Sequence, residues 1–197
     1  MKRILTAAAL VALGGVANAS ITIIVGPGNI FGDENVLYNV GSLIDNGPLV
    51  QGITNQSDTI IDNYDAGEDL VTPPGGQARI ESGDGSFTDL TISPHETGVE
   101  FSTLMLNIDS FDDGSVNFNI DGVDFGNFAL DGSGENFFRI IADGGDSFDE
   151  FHLSSNVGLE DVQQIRVSVA VPEPASMTAL GIGAAALLRR RRKARIG

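Results

Sequence analysis

The sequence predicts an all-β protein, an antiparallel β-sandwich or jelly roll, followed by a single C-terminal membrane helix. Three observations carry this. Short apolar segments alternate with polar residues at a period of two, as half-buried strands do. Asp, Gly, Asn and Ser turns interrupt them throughout, and no window of about ten residues between 20 and 170 carries a helical stripe. One uninterrupted apolar run, 175–188, stands apart and is closed by arginines.

The segments follow in order. Residues 21–25 hold three isoleucines and a valine. Val36-Leu37-Tyr38, 49–54 and Thr59-Ile60-Ile61 come next. Residues 63–76 are acidic, end in Pro73-Pro74-Gly75-Gly76 and read as a long loop. Strands are expected over 77–81 and 87–92, around Gly83-Asp84-Gly85-Ser86. Over 99–108, Val99, Phe101, Leu104, Leu106 and Ile108 nearly alternate, with a bulge expected at Ser102-Thr103. Val116, Phe118 and Ile120 alternate with Asn117 and Asn119, and Asp121-Gly122 then marks a tight hairpin turn. The return strand carries Val123, Phe125, Phe128 and Leu130, with an irregularity at Gly126-Asn127. Residues 137–142 and 148–153 read as another pair around Asp143-Gly144-Gly145-Asp146. Residues 159–163 read as one helical turn, and Ile165, Val167 and Val169 as the closing strand. This many short strands pack most simply as an antiparallel sandwich or jelly roll.

The chain begins with a positive Met1-Lys2-Arg3, an apolar stretch over 4–16 and a small-residue site, Ala17-Asn18-Ala19. That is the pattern of a secretory signal peptide over 1–19, recognised at Ala17 and Ala19 and cut after Ala19 by signal peptidase. The domain between the two ends spans 20–170. Three arginines (Arg79, Arg139, Arg166) against 26 acids leave it a net charge of −23. Nucleic acid and anionic lipid are poor partners for such a domain, whereas cations, neutral polymers and basic surfaces suit it. The chain has no cysteine, so the exported domain must hold itself by burial alone.

Residues 171–197 form a tail in three parts. Val171-Pro172-Glu173-Pro174 is a rigid extended strip, since each proline fixes φ and removes a backbone donor. The apolar run 175–188 follows. At about 1.5 Å per residue it reaches roughly 21 Å, short of a hydrocarbon core of about 30 Å. Arg189, Arg190, Arg191, Arg192 and Lys193 then act as a membrane stop, extending the span by snorkelling and holding that end in the cytoplasm. Val171 to Ser176, the apolar run and the arginines together resemble the tail of PEP-CTERM proteins. The resemblance implies export in a Gram-negative bacterium, a transient tether in the inner membrane and cleavage at Val171, Pro172, Glu173 and Pro174 by an exosortase. Release or attachment at the cell surface would follow, in a matrix of exopolysaccharide and biofilm. The central domain is weakly similar to the β-sandwich domains attached to such tails.

Candidate chemistry within 20–170 is sparse. Asn117, Asn119, Asp121 and Gly122 match the opening of an EF-hand loop, but Phe128 stands where a bidentate Glu is needed, so a hairpin is expected instead. No cofactor is required. Structural Ca²⁺ is the one metal the acidic turns admit, with Asp143, Asp146, Asp149 and Glu150 its best ligand set. His95 and His152 have no zinc-like spacing, no Cys nucleophile exists, and pairs of acids among 26 carry no information, so no enzyme is expected. His152 is expected on the outer face of a strand. Trp is absent, which leaves Tyr64 as the one aromatic expected to be both exposed and polar, and the candidate platform of a carbohydrate-binding module. The expected function is an exported surface or matrix protein with a structural or interaction role. Carbohydrate binding is the alternative, and a secreted glycan-active enzyme a more distant one.

Overall fold

The computed structural model describes residues 20–28, 33–75 and 77–170. The signal segment, the sorting tail and the C-terminal membrane helix expected from the sequence lie outside these residues. The described residues are all-β, with thirteen strands and every pairing antiparallel. In chain order they are β1 (Ile21–Val25), β2 (Glu34–Tyr38), β3 (Asn46–Gly47), β4 (Leu49–Thr54), β5 (Ile60–Tyr64), β6 (Leu70–Val71) and β7 (Arg79–Ser82). Then come β8 (Phe87–Pro94), β9 (Glu100–Ser110), β10 (Gly114–Ile120), β11 (Val123–Leu130), β12 (Asn136–Ala142) and β13 (Phe151–Ala170).

The 20-residue β13 organises the others. Along one edge it pairs with β10 and then β9, which lie end to end. Along the other edge it pairs in turn with β8, β7 and β2. At Leu159 both edges are occupied at once, by Phe87 and Ser110. A ring closes on one side, as β2 pairs β4, β4 pairs β5, β5 pairs β8, and both β8 and β2 return to β13. On the other side β12 lies between β9 and β1, and β11 covers β10.

Inward residues from both sides meet in one core. Phe118 of β10 is its aromatic hub. Its ring centroid lies 4.9 Å from Phe128 of β11, 4.9 Å from Phe138 of β12 and 5.1 Å from Phe151 of β13, so one side chain ties four strands. Tilted and edge-on pairs of this kind contribute about 0.5–1.5 kcal/mol beyond the area they bury. Fully buried Tyr38 keeps its hydroxyl satisfied by donating to Asn63 Oδ1 at 3.1 Å. Burial is also the main reason its phenol pKa is raised.

The Asp121-Gly122 turn joins β10 to β11 as expected, with φ of 50° and 79° at the two central residues, the two-positive signature of a type I′ turn. Bulges fall where the pattern breaks. The β9 ladder slips past Ser102, and the β10–β11 ladder slips between Asn117 and Asn119, opposite Phe125-Gly126.

Three expectations are corrected. Residues 159–163 are strand, not a helical turn. The β13–β9 register shifts between Leu159 and Asp161 and again between Gln163 and Arg166, where Gln164 has φ of 54°. Each slip inserts a residue, so inward Leu159, Val162 and Ile165 fall three apart and mimic a helical period. The hairpin expected between 137–142 and 148–153 does not form, because β12 pairs with β1 and β9, while the start of β13 pairs with β8 and β10. The long loop over 63–76 is interrupted by the two-residue strand β6, which pairs with β3 and β7.

The face of β9 and β13 opposite the core is polar yet largely covered. Asp161 is 1% exposed there, and its carboxylate meets the Arg79 guanidinium at 2.7 Å. Burial pushes its pKa up to about 6 although Arg79 pulls the other way.

Two predictions follow from this packing. Gly52 of β4 faces Val36 and Tyr38, and a Cβ there would stand 2.4 Å from Val36 Cγ1 and 2.8 Å from Tyr38 Cε1. Gly52→Ala is expected to destabilise the domain by about 1–3 kcal/mol in denaturant titration, and an unchanged midpoint would refute this packing. Asp161 holds its proton more tightly folded than unfolded, where its pKa is ~3.9. Its contribution is therefore fully present below that value and is lost as pH rises through about 6. The melting temperature should fall over that interval, and fall less steeply in Asp161→Asn; parallel slopes would contradict the assignment.

Candidate functional site

Tyr64 ends β5, where it pairs with Leu49 on one side and Thr91 on the other. Thr91 in turn pairs with His152 of β13, and His152 with Asn119 of β10. Cross-strand partners project to one face, so Tyr64, Thr91, His152 and Asn119 form an outward row across four strands. The inward neighbours Asn63, Ile92 and Leu153 are buried.

The row gains depth from the segment after β5. Asp65 is buried, and its Oδ1 accepts the Gly67 and Glu68 N–H groups at 2.7 and 3.2 Å, folding 65–68 into a tight turn beside the sheet. A hollow of about 280 Å³ lies between this turn and the sheet face, lined by Tyr64, Glu68, Asp89, Thr91 and His152 among others. Across the same turn lies a larger opening of about 610 Å³, lined by Asn46, Pro48, Glu68, Asp69, Val71 and Asp84. Tyr64 is 47% exposed at the edge of this hollow. His152 Nε2 lies 3.5 Å from Asp89 Oδ1. Across the turn Asp84 repels the Glu68 carboxylate and raises its pKa, with lesser contributions from desolvation and Asp65. The site thus offers an aromatic face, a hydroxyl, an imidazole and several carboxylate acceptors. Such a set can hydrogen-bond a neutral polyhydroxyl ligand stacked on the ring.

His152 is on the outer face, as the sequence indicates, and Tyr64 is exposed. An apolar aromatic, Phe111 in the turn between β9 and β10, is also exposed, at 52%. Its polar setting, Asp109-Ser110-Phe111-Asp112-Asp113-Gly114, is the sequence signal for this exposure.

The four acids named as calcium ligands are placed as follows. The Asp143 Oδ2 accepts the Thr22 hydroxyl at 2.6 Å, and the Asp146 Oδ2 accepts the Ser20 N–H at 2.8 Å. The Asp149 and Glu150 N–H groups donate to Asp121 Oδ1 at 3.0 and 2.9 Å. Among the described residues, no three His, Cys, Asp or Glu side chains come together in a way that could hold a metal ion. His95, at the edge of β8, has its Nδ1 2.8 Å from Asp62 Oδ2, and this hydrogen bond raises its pKa. Ala17 and Ala19, Val171 to Pro174, and Arg189 to Lys193 lie outside the described residues. Among the described residues no helix is long and apolar enough to cross a membrane.

No curated protein sequence matches the chain. Among solved structures, the chain is similar to a mutant family 29 carbohydrate-binding module, at 9% identity and a TM-score of 0.30 over 75% of this chain and 90% of that one. Residues 170–193 match the model of the PEP-CTERM protein-sorting motif, which begins on Ala170, the last residue of β13. The chain therefore carries a PEP-CTERM protein-sorting motif, the mark of an exported protein that an exosortase sorts and processes at the membrane.

Proposed function

We propose that this protein is a non-catalytic component of the cell surface or extracellular matrix, delivered by its tail and displaying the acidic β domain outside the cell. The observation that carries the reading is the junction at Ala170, where the sorting motif begins on the final residue of the strand that organises the fold. Cleavage just beyond this point would free the domain without removing a paired residue. At the other end, a cut after Ala19 would turn the Ser20 N–H that Asp146 already accepts into an ammonium group. The neutral hydrogen bond would then become charge-assisted. Mass spectrometry of the exported protein should find Ser20 as the first residue and no peptide from 189–197. Replacing Pro172 and Pro174 with alanine should leave the chain in the membrane fraction. Unaltered release of that variant would sink the proposal.

The second reading is that the displayed domain binds a neutral glycan at Tyr64. The half-exposed ring in line with Thr91 and His152, beside a hollow rimmed by carboxylates, supports it. Acceptors from Glu68 and Asp89 suit sugar hydroxyls, and the charge of the domain does not repel a neutral polymer. On a glycan array Tyr64→Ala should weaken the best neutral ligand by about tenfold, or ~1.4 kcal/mol. Equal binding by the variant would remove Tyr64 from the site.

A further inference from the structure

The strand pairings gather all three arginines of residues 20–170 on one face. Arg139 of β12 pairs with Met105 of β9, Met105 with Arg166 of β13, and Arg166 with Asn35 of β2. One row along, Phe137 pairs with Asn107, Asn107 with Gln163, and Gln163 with Arg79 of β7. This is the covered polar face opposite the core, remote from the row that contains Tyr64. In a domain of net charge −23, every arginine of residues 20–170 therefore lies on one face, beside the carboxylates of Glu81, Asp109 and Asp161.

A hollow of about 270 Å³ opens here, lined by Asn35, Gln77, Arg79, Gln163, Gln164 and Arg166. No carboxylate lines it. Neighbouring acids are engaged in orienting its walls. Arg79 meets Asp161 at 2.7 Å and Glu81 at 2.8 Å, and Gln163 Nε2 donates to Asp109 Oδ2 at 2.7 Å. Asp33 accepts the Thr103 and Ser168 hydroxyls in the next row. Arg166 differs from Arg79. Among the described residues it makes no ion pair, and its buried Nε, like those of Arg79 and Arg139, has no hydrogen-bond partner. Beside it, fully buried Asn107 has neither amide atom paired among the described residues. The bulge after Gln163 lies in the wall of the hollow, and Gln164 there holds φ of 54°, a conformation uncommon for a non-glycine residue. A positively charged donor left unpaired in a covered site is costly, and an anion would offset that cost.

We propose that this hollow is a binding site for a carboxylate-bearing sugar, a uronate residue of an acidic polysaccharide. The planar guanidinium of Arg166 matches a carboxylate in bidentate fashion, and Arg79 adds a second, pre-oriented cation. The surrounding amides donate and accept, as ring hydroxyls require. The volume is just below the range of drug-sized ligand pockets, which run from about 300 Å³, and suits one sugar ring rather than a longer segment. The acidity of the whole domain disfavours non-specific capture of polyanions, so binding of a uronate has to come from this hollow.

The test is calorimetric titration of the full chain, held in non-ionic detergent, with a galacturonate hexamer and with the same hexamer fully methyl-esterified. The acid form should bind about tenfold or more tighter than the ester, ~1.4 kcal/mol. Arg166→Gln should lose that advantage. So should Gln164→Glu, which adds a carboxylate at the rim without removing a buried group and decides the matter if the arginine variant fails to fold. Tyr64→Ala should leave acid binding unchanged, so failure here and failure of the neutral-glycan reading are separate results. Equal binding of acid and ester, no heat with the acid hexamer, full binding by Gln164→Glu, or loss of acid binding in Tyr64→Ala would each overturn the assignment.

Discussion

The fold depends on β13 having both backbone edges occupied along most of its length. A strand with open edges exposes unpaired N–H and C=O groups, and each one buried without a partner costs about 1–3 kcal/mol. Here β10 and β9 satisfy one edge and β8, β7 and β2 the other, so strands from most of the chain are hydrogen-bonded to one segment. The cost is entropic, because β2 must be recruited from the far end of the sequence, and long-range pairings of this kind form late and slowly. With no disulfide to hold these distant segments together, their cohesion comes from the core, where the rings of Phe118, Phe138 and Phe151 join β10, β12 and β13. Each such side chain contributes about 1.5–3 kcal/mol on burial.

The same strand separates two chemical surfaces. Over 151–155 its outer side carries His152, within the row that Tyr64 and Thr91 share. Beyond the slips at 159–166 its outer side carries Asp161, Gln163 and Arg166 and belongs to the arginine face. The bulges make this division, since each slip re-aims the side chains that follow it. One surface has carboxylate acceptors around an aromatic ring and the other has guanidinium and amide groups.

Much of the strand pattern is legible in the residues. Val116, Phe118 and Ile120 alternate without a break, and β10 is where the alternation places it. Asp121-Gly122 marks its turn because a type I′ turn needs two positive φ values, which this dipeptide tolerates. Leu159, Val162 and Ile165 mislead for the opposite reason, as two inserted residues turn a strand's period of two into an apparent three. In the acidic run 143–150, Asp143 and Asp146 accept hydrogen bonds from Thr22 and Ser20, partners that local sequence does not reveal. Tyr64 is legible as a candidate because it is one of only two tyrosines and stands in a polar stretch, although the depth beside it comes from the Asp65 turn.

The sequence alone determined the address of this protein and the class of its fold. A sorting motif is read by its local order of extended, apolar and basic residues, and strand alternation is equally local, so neither needs distant contacts to be recognised. Only the tertiary structure decided which residues share a face. Arg79, Arg139 and Arg166 are scattered as three isolated cations among 26 acids, and nothing in their spacing connects them. They share a face because β12, β9, β13 and β7 pair in that order through register and bulges, and that pairing is set by the burial of the opposite face.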